Sequence, residues 1–318
     1  MHRYPLCALL LGLTVQPLAA QGDPQCNNAT TPPAQNACNT AVDAMKAFSP
    51  LAGLVISGGN PVLGTAGTLG GFGHIAFSAR VNATKVALPN PDSAFSGGSS
   101  VAAGYNGALP APVVEVSLGV LRGMGGGLLS LDALGSAVLL PTNQVNNLTV
   151  DPNATKVGSV ALGTGYGARI GIIKGSLLVP SVSVSWMHRH LPRLQYGDVN
   201  AGDPMDFAMA LDATNIRAVA GMRLLLFDVA AGLGVDHYVT TGRIRYQDGI
   251  LLKVVPVNPK NTRQVLFADA GMNLLVAKLV GELGWQSGKD QGFTRDSFGS
   301  WDLKAGHVFG SIGARVSF

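Results

Sequence analysis

From residue 73 to its last residue the chain repeats one constraint: apolar residues alternate, position by position, with small or polar ones. Only an extended strand puts residues i, i+2 and i+4 on one side, so this half-period fixes the secondary structure before anything else is considered. In 74–84 one face carries His74, Ala76, Ser78, Arg80, Asn82 and Thr84, and the other Ile75, Phe77, Ala79, Val81 and Ala83. The design recurs with Val114, Val116, Leu118 and Val120 against Glu115, Ser117 and Gly119. It returns with Val182, Val184 and Trp186 against serines, and with Val308, Ile312, Ala314, Val316 and Phe318 against Ser311, Gly313, Arg315 and Ser317.

Ten such strands are expected, near 73–86, 112–122, 128–140, 158–172, 177–190, 205–223, 228–246, 263–275, 278–287 and 304–318, with twelve or more as the alternative count. The sixth changes hydrophobic phase between Asp212 and Asn215, which predicts a bulge or a break there. The connections alternate in length. Those at 87–111, 141–157, 191–204, 247–262 and 288–303 are long, and those at 123–127, 173–176, 224–227 and 276–277 are short. Short turns on one side and long loops on the other are the habit of transmembrane barrels.

An apolar face continuous over strand after strand, facing a charged one, leaves too few hydrophobic residues for a second packed layer. A soluble β-sandwich is the competing reading of the same alternation. Charged residues are 13% of the chain and glycines number 42, a poor surface for water but suited to close-packed, curved strands. The expected fold class is therefore all-β, a closed antiparallel transmembrane β-barrel of about ten strands over 73–318. Closure removes the edges that long strands otherwise expose.

The first twenty residues carry a basic start at His2 and Arg3, an apolar core at 6–13 and a small-residue site before Gln21, the pattern of a cleaved export signal. Removal of Arg3 leaves 21 basic residues against 18 acidic, scattered along the chain, which gives no footprint for nucleic acid. Cys7 leaves with the signal. Cys26 and Cys38 remain in an Asn/Thr/Pro-rich stretch, and in an oxidising compartment they are expected to pair; a metal site is the weaker alternative, since no histidine lies between them. Residues 21–72 stand apart from the alternation: a disulfide loop, a short helix over 40–48, and an apolar, glycine-rich stretch broken at Ser57-Gly58-Gly59-Asn60-Pro61. That stretch either plugs the barrel mouth or adds one or two strands.

The signal, the alternation and the closing Arg315-Val316-Ser317-Phe318 resemble the general pattern of bacterial outer-membrane barrels. The resemblance covers about 245 residues. It implies residence in the outer membrane of a Gram-negative-type bacterium, contact with its lipid, and reading of Val316 and Phe318 by the barrel-assembly machinery. Asn60-Pro61 in an apolar pre-barrel segment is similar to the plug of long-chain fatty acid channels, although this chain is shorter and has fewer strands.

The faces expected to point inward gather Glu115, Asp132, Asp228, Asp236, Asp269 and Glu282 beside Arg80, Arg169, Arg189, Arg223 and Arg315. Such a mixture either fills a narrow lumen with paired charges or forms a charge-selective constriction. Gly165, Gly167 and Gly171 leave room for the plug or for large side chains against the wall. His188 and His190 share a face and suit an interfacial belt as well as a metal or proton-transfer site. Asp236 and His237, adjacent on one strand, point to opposite faces and make no dyad. No Gly-x-Ser-x-Gly elbow is present, and no catalytic residue, cofactor or metal is expected. The expected function is a non-enzymatic barrel passing small or hydrophobic solutes under control of the plug. A structural or surface-interaction barrel working through its long loops is the alternative, and a rim hydrolase built on His188, His190 and His237 the third reading.

Overall fold

The computed structural model describes residues 22–318 apart from 125–127, 152–153, 155, 158–159 and 177, so the export signal at 1–20 lies outside the described residues. Ten long strands follow one another: β1 (Ile75–Pro89), β2 (Ala103–Leu121), β3 (Ser130–Pro141), β4 (Val160–Ile173), β5 (Ser181–Tyr196), β6 (Met205–Leu224), β7 (Phe227–Asp248), β8 (Lys260–Asn273), β9 (Lys278–Gln286) and β10 (His307–Ser317). Each pairs antiparallel with its sequence neighbour, and β1 also pairs with β10 from Ala76–Ser317 to Thr84–Phe309, which closes the sheet. A further strand, Leu251–Val257, extends the β7 hairpin beyond the barrel.

The outward positions are those the alternation assigns to lipid: Phe77, Val81, Val114, Leu118, Leu233, Leu266, Leu283 and Ile312 are all exposed. No helix among the described residues is long and apolar enough to cross a membrane, which leaves the strands to do so. Long connections and short turns alternate as expected, but the first long one shrinks to 90–102. There β2 starts at Ala103, not near 112, because 103–107 pair with 86–89.

The sixth strand keeps its phase. Met205, Phe207, Met209, Leu211, Ala213, Asn215, Arg217 and Val219 all point inward and are buried, and the register to β7 runs unbroken from Leu224 to Met205. What changes between Asp212 and Asn215 is the chemistry of the lumen, apolar on one side and polar on the other. The one irregularity of pairing here lies opposite, on β5, between Leu191 and Leu194 around Pro192.

The helix is also longer than 40–48. α1 runs from Pro32 to Ser57, 26 residues, with Thr31 accepting at the N-cap from the Ala34 N–H and prolines at the first two positions, where no donor is needed. Pro50 lies inside it. The Lys46 carbonyl, which loses its intrahelical donor to Pro50, accepts from Gln291 Nε2 at 2.8 Å, so the interruption is compensated from a loop. Gly58, at φ +61°, ends the helix in a conformation that favours glycine. Almost every residue of α1 beyond Ala37 is buried, because the helix stands inside the barrel against β7, β6 and β1. Of the two readings of residues 51–62, the plug is the correct one.

The path of this segment is directional. Residues 22–31 lie at the long-connection end, where the Thr30 hydroxyl donates to Asp248 at the tip of β7. α1 descends to mid-barrel, and 58–74 continue to the short-turn end, where β1 begins beside Phe318. The chain is threaded through its own barrel.

Candidate functional site

The site is built where the threaded segment leaves helical structure. Residues 58–70 have no ladder of their own, so their buried amides and carbonyls need partners from the wall. Arg80, on β1, donates to the Ser57 carbonyl (3.2 Å) and the Asn60 carbonyl (3.0 Å). Arg217, on β6, donates to the carbonyls of Gly58 (3.3 Å) and Gly59 (3.1 Å). Two cations thus sit at the carboxy-terminal end of a helix, where its dipole favours them. Glu282, on β9, accepts from the Gly59 N–H (3.0 Å) and the Asn60 N–H (2.6 Å). The Asn60 side chain donates to Asp269 (2.7 Å) and to the Thr65 carbonyl (3.1 Å). Further down, Asp132 accepts from the Leu69 N–H, Lys278 donates to the Gly64 carbonyl at 2.9 Å, and Thr68 meets Ser130 at 2.5 Å where Gly171 leaves the wall open.

The gripping charges are themselves paired. Arg80 meets Glu115 at 2.8 Å, Arg169 meets Asp132 at 2.7 Å, Arg217 meets Asp236 at 2.5 Å, and Arg189 reaches both Glu115 (3.5 Å) and Asn215 (2.8 Å). Charges with so little water are tolerable only when matched and hydrogen-bonded in this way.

Above the network, α1 is packed by apolar wall residues, among them Phe48 against Phe207 at 6.3 Å between ring centroids. The mouth is roofed. Cys26 and Cys38 form a disulfide, Lys46 pairs with Asp23 at 2.7 Å, and Arg295 donates to Asn36 and to the carbonyls of Ser96 and Gly98. Asp43, fully buried on α1, accepts from the Thr294 N–H and hydroxyl and from the Arg295 N–H. Burial pushes its carboxyl up to about 6, with the Thr294 hydroxyl and amide opposing the shift.

These observations decide the architecture: a closed sheet with an apolar exterior and a charged, occupied interior. The chain is an outer-membrane-type β-barrel. No family model and no curated protein matches it. Among solved structures it is similar to the outer membrane protease OmpT from Escherichia coli, at 9% identity and a TM-score of 0.43, covering 77% of this chain and 97% of that one. It is also similar to the translocator domain of the autotransporter NalP from Neisseria meningitidis, at 12% identity and a TM-score of 0.45, covering 88% and 99%. A third is the TodX monoaromatic hydrocarbon channel, at 10% identity and a TM-score of 0.30, covering 80% and 92%. At these identities only the fold is shared.

The barrel brings together ten of the eleven charges expected in the lumen: Arg80, Glu115, Asp132, Arg169, Arg189, Asp228, Asp236, Asp269, Glu282 and Arg315 are all buried. Arg223 is the exception. It lies at the short-turn rim with its side chain 69% exposed, reaching Asp228 at 3.4 Å, because β6 ends one residue later and the wall no longer covers it. Arg217 and Arg263, both buried, and Lys278, whose side chain is 12% exposed, belong inside as well and were missed, although each falls on the inward phase of its strand.

His188, His190 and His237 face outward. His190 Nδ1 lies 2.8 Å from Asp212 Oδ1, and His188 Nδ1 lies 3.1 Å from Thr214, above the edge-on pair Tyr166 and Trp186. Asp212 was not linked to them in sequence, since only the β5–β6 register makes them neighbours. His237 bonds Thr262 on the same outer wall. No group of three metal-ligating side chains converges among the described residues.

Proposed function

We propose that this protein is a sealed, non-enzymatic barrel that acts at its long-connection face. Passage of solutes through it requires release of the plug. The observation that carries the reading is the grip on residues 57–69, where five wall side chains, Arg80, Asp132, Arg217, Lys278 and Glu282, bond the backbone of a segment that fills the lumen. The β7 hairpin supports action at the outer face. Its tip stands about 30 Å beyond Val235, the last of the uninterrupted apolar outward positions on β7, by the rise of a tilted strand. That tip exposes Ile250 (99%), Leu251, Leu252 and Val254. An apolar tip so far from lipid suits contact with another molecule.

Single-channel recording on the full-length chain tests the first part. The expected trace is flat, with rare openings, and a steady conductance in the unaltered protein overturns the sealed reading. A gated conduit is the second reading, and the polar cavity of about 860 Å³ between the plug and the short-turn end favours it.

A further inference from the structure

The same cavity holds a feature that neither sealing nor gating uses. It is lined by the plug residues 64–70 and by Arg122, Lys174, Arg223, Ser130 and Asp228, and it opens toward the short turns. Charge around it is lopsided. Asp228 is bonded by Lys278 and approached by Arg223, and Asp132 is taken by Arg169 and the Leu69 amide. These two carboxylates therefore face three cations already, before Arg122, Lys174 and Arg315 are counted.

Among the described residues neither Arg122, Lys174 nor Arg315 has a carboxylate within ion-pair distance. Arg315 is the informative one. It is buried, with 8% of its surface exposed, stands directly across from Lys278 in the β9–β10 register, and its Nε has no hydrogen-bond partner. Like charges directly opposite are destabilising, and a buried guanidinium with no direct hydrogen bond or ion pair carries a desolvation cost that the more distant Asp132 and Asp228 return only in part. Electrostatic reach from Arg315 extends to Asp132, Asp228, Arg169 and Arg223, which places it at the back of the same cluster.

Arginine forks match phosphate oxygens in pairs, and a low-dielectric wall behind several of them concentrates the field on the cavity. We propose that this cavity binds a multivalent phosphate-type anion, either a soluble phosphate ester or the headgroup of an anionic phospholipid at the short-turn side. The bound anion supplies the missing negative charge and lies against the glycine-rich end of the plug, so that its presence is sensed by residues 64–70.

Calorimetric titration of the detergent-solubilised full chain with inorganic tripolyphosphate tests this. The expected result is one site per barrel whose affinity falls as sodium chloride is raised. In the triple variant Arg122→Gln, Lys174→Gln, Arg223→Gln, all at exposed positions outside the plug grip, affinity is expected to fall at least tenfold. Arg315→Gln is expected to abolish binding, and the triple variant keeps the test valid should that change prevent folding. Repeating the titration in nanodiscs with and without phosphatidylglycerol separates the sources. Competition by the lipid assigns the site to a headgroup, and unchanged binding assigns it to a soluble phosphate. No binding to the unaltered chain at millimolar tripolyphosphate, or equal binding by the triple variant, overturns the proposal.

Discussion

The two halves of this lumen solve the same problem by opposite means. Toward the long connections the wall offers Met205, Phe207, Met209, Leu211, Val86, Leu88, Leu109 and Val113, and what fills the space is a helix. Toward the short turns the same strands offer Asn215, Arg217, Ser78, Arg80, Glu115 and Ser117, and what fills the space is irregular chain. A helix satisfies its own backbone and presents only side chains, so an apolar wall suffices. An irregular segment presents bare amides and carbonyls, so the wall must supply donors and acceptors. The chemistry of each half follows from the secondary structure of its occupant.

Removing Glu282 is the sharpest way to break the comparison. Glu282→Ala strips the partner from the Gly59 and Asn60 amides and leaves Arg80 undercompensated, and a cost of about 3–5 kcal/mol is expected for a broken buried pair. Steady conductance should appear, together with protease cleavage within 57–69. A silent, protected variant would show that the grip is redundant. Phe207→Ala in the apolar half is expected to cost about 3 kcal/mol through its cavity, lowering the temperature of heat-modified gel mobility while leaving the lumen sealed. If it conducts as Glu282→Ala does, the two halves are not distinct in function.

The smallest effect concerns the roof. With the docked Asp43 carboxyl at about 6 and its ordinary value at 3.8, docking of 287–306 onto α1 is strongest below pH 4 and weakens as pH rises through 6. Lys46 and Arg295 face the group, and neither offsets its burial. Hydrogen exchange at the Thr294 and Arg295 amides, corrected for intrinsic rate, should lose about a hundredfold protection between pH 4 and pH 7. Asp43→Asn should flatten that profile.

The barrel was legible because its alternation is local: each strand declares its outward face within a few residues, as in Ile75 to Val81. The inward charges were legible for the same reason, and Arg223 misled only because phase says nothing about where a wall stops. The plug was less legible. Thr31-Pro32-Pro33 starts the helix well, but Pro50 interrupts it, and the Gln291 side chain that satisfies the freed Lys46 carbonyl lies 245 residues along the chain. The false break at Asp212 has the same origin: hydrophobicity reports the partner of a residue as much as its strand, and the partner here was a helix from elsewhere in the chain. Pairings such as His190 with Asp212 depend on register alone.

Threading also dictates an order of events. The seam that closes the barrel joins β1 to β10, so the ring cannot shut until β10 has been delivered. The amino-terminal stretch, tied into a knob by its disulfide, either lies inside the ring when the seam forms or has to be drawn through a gap crowded by Arg80, Arg217 and Glu282. In topology the molecule is a bead closed around a string.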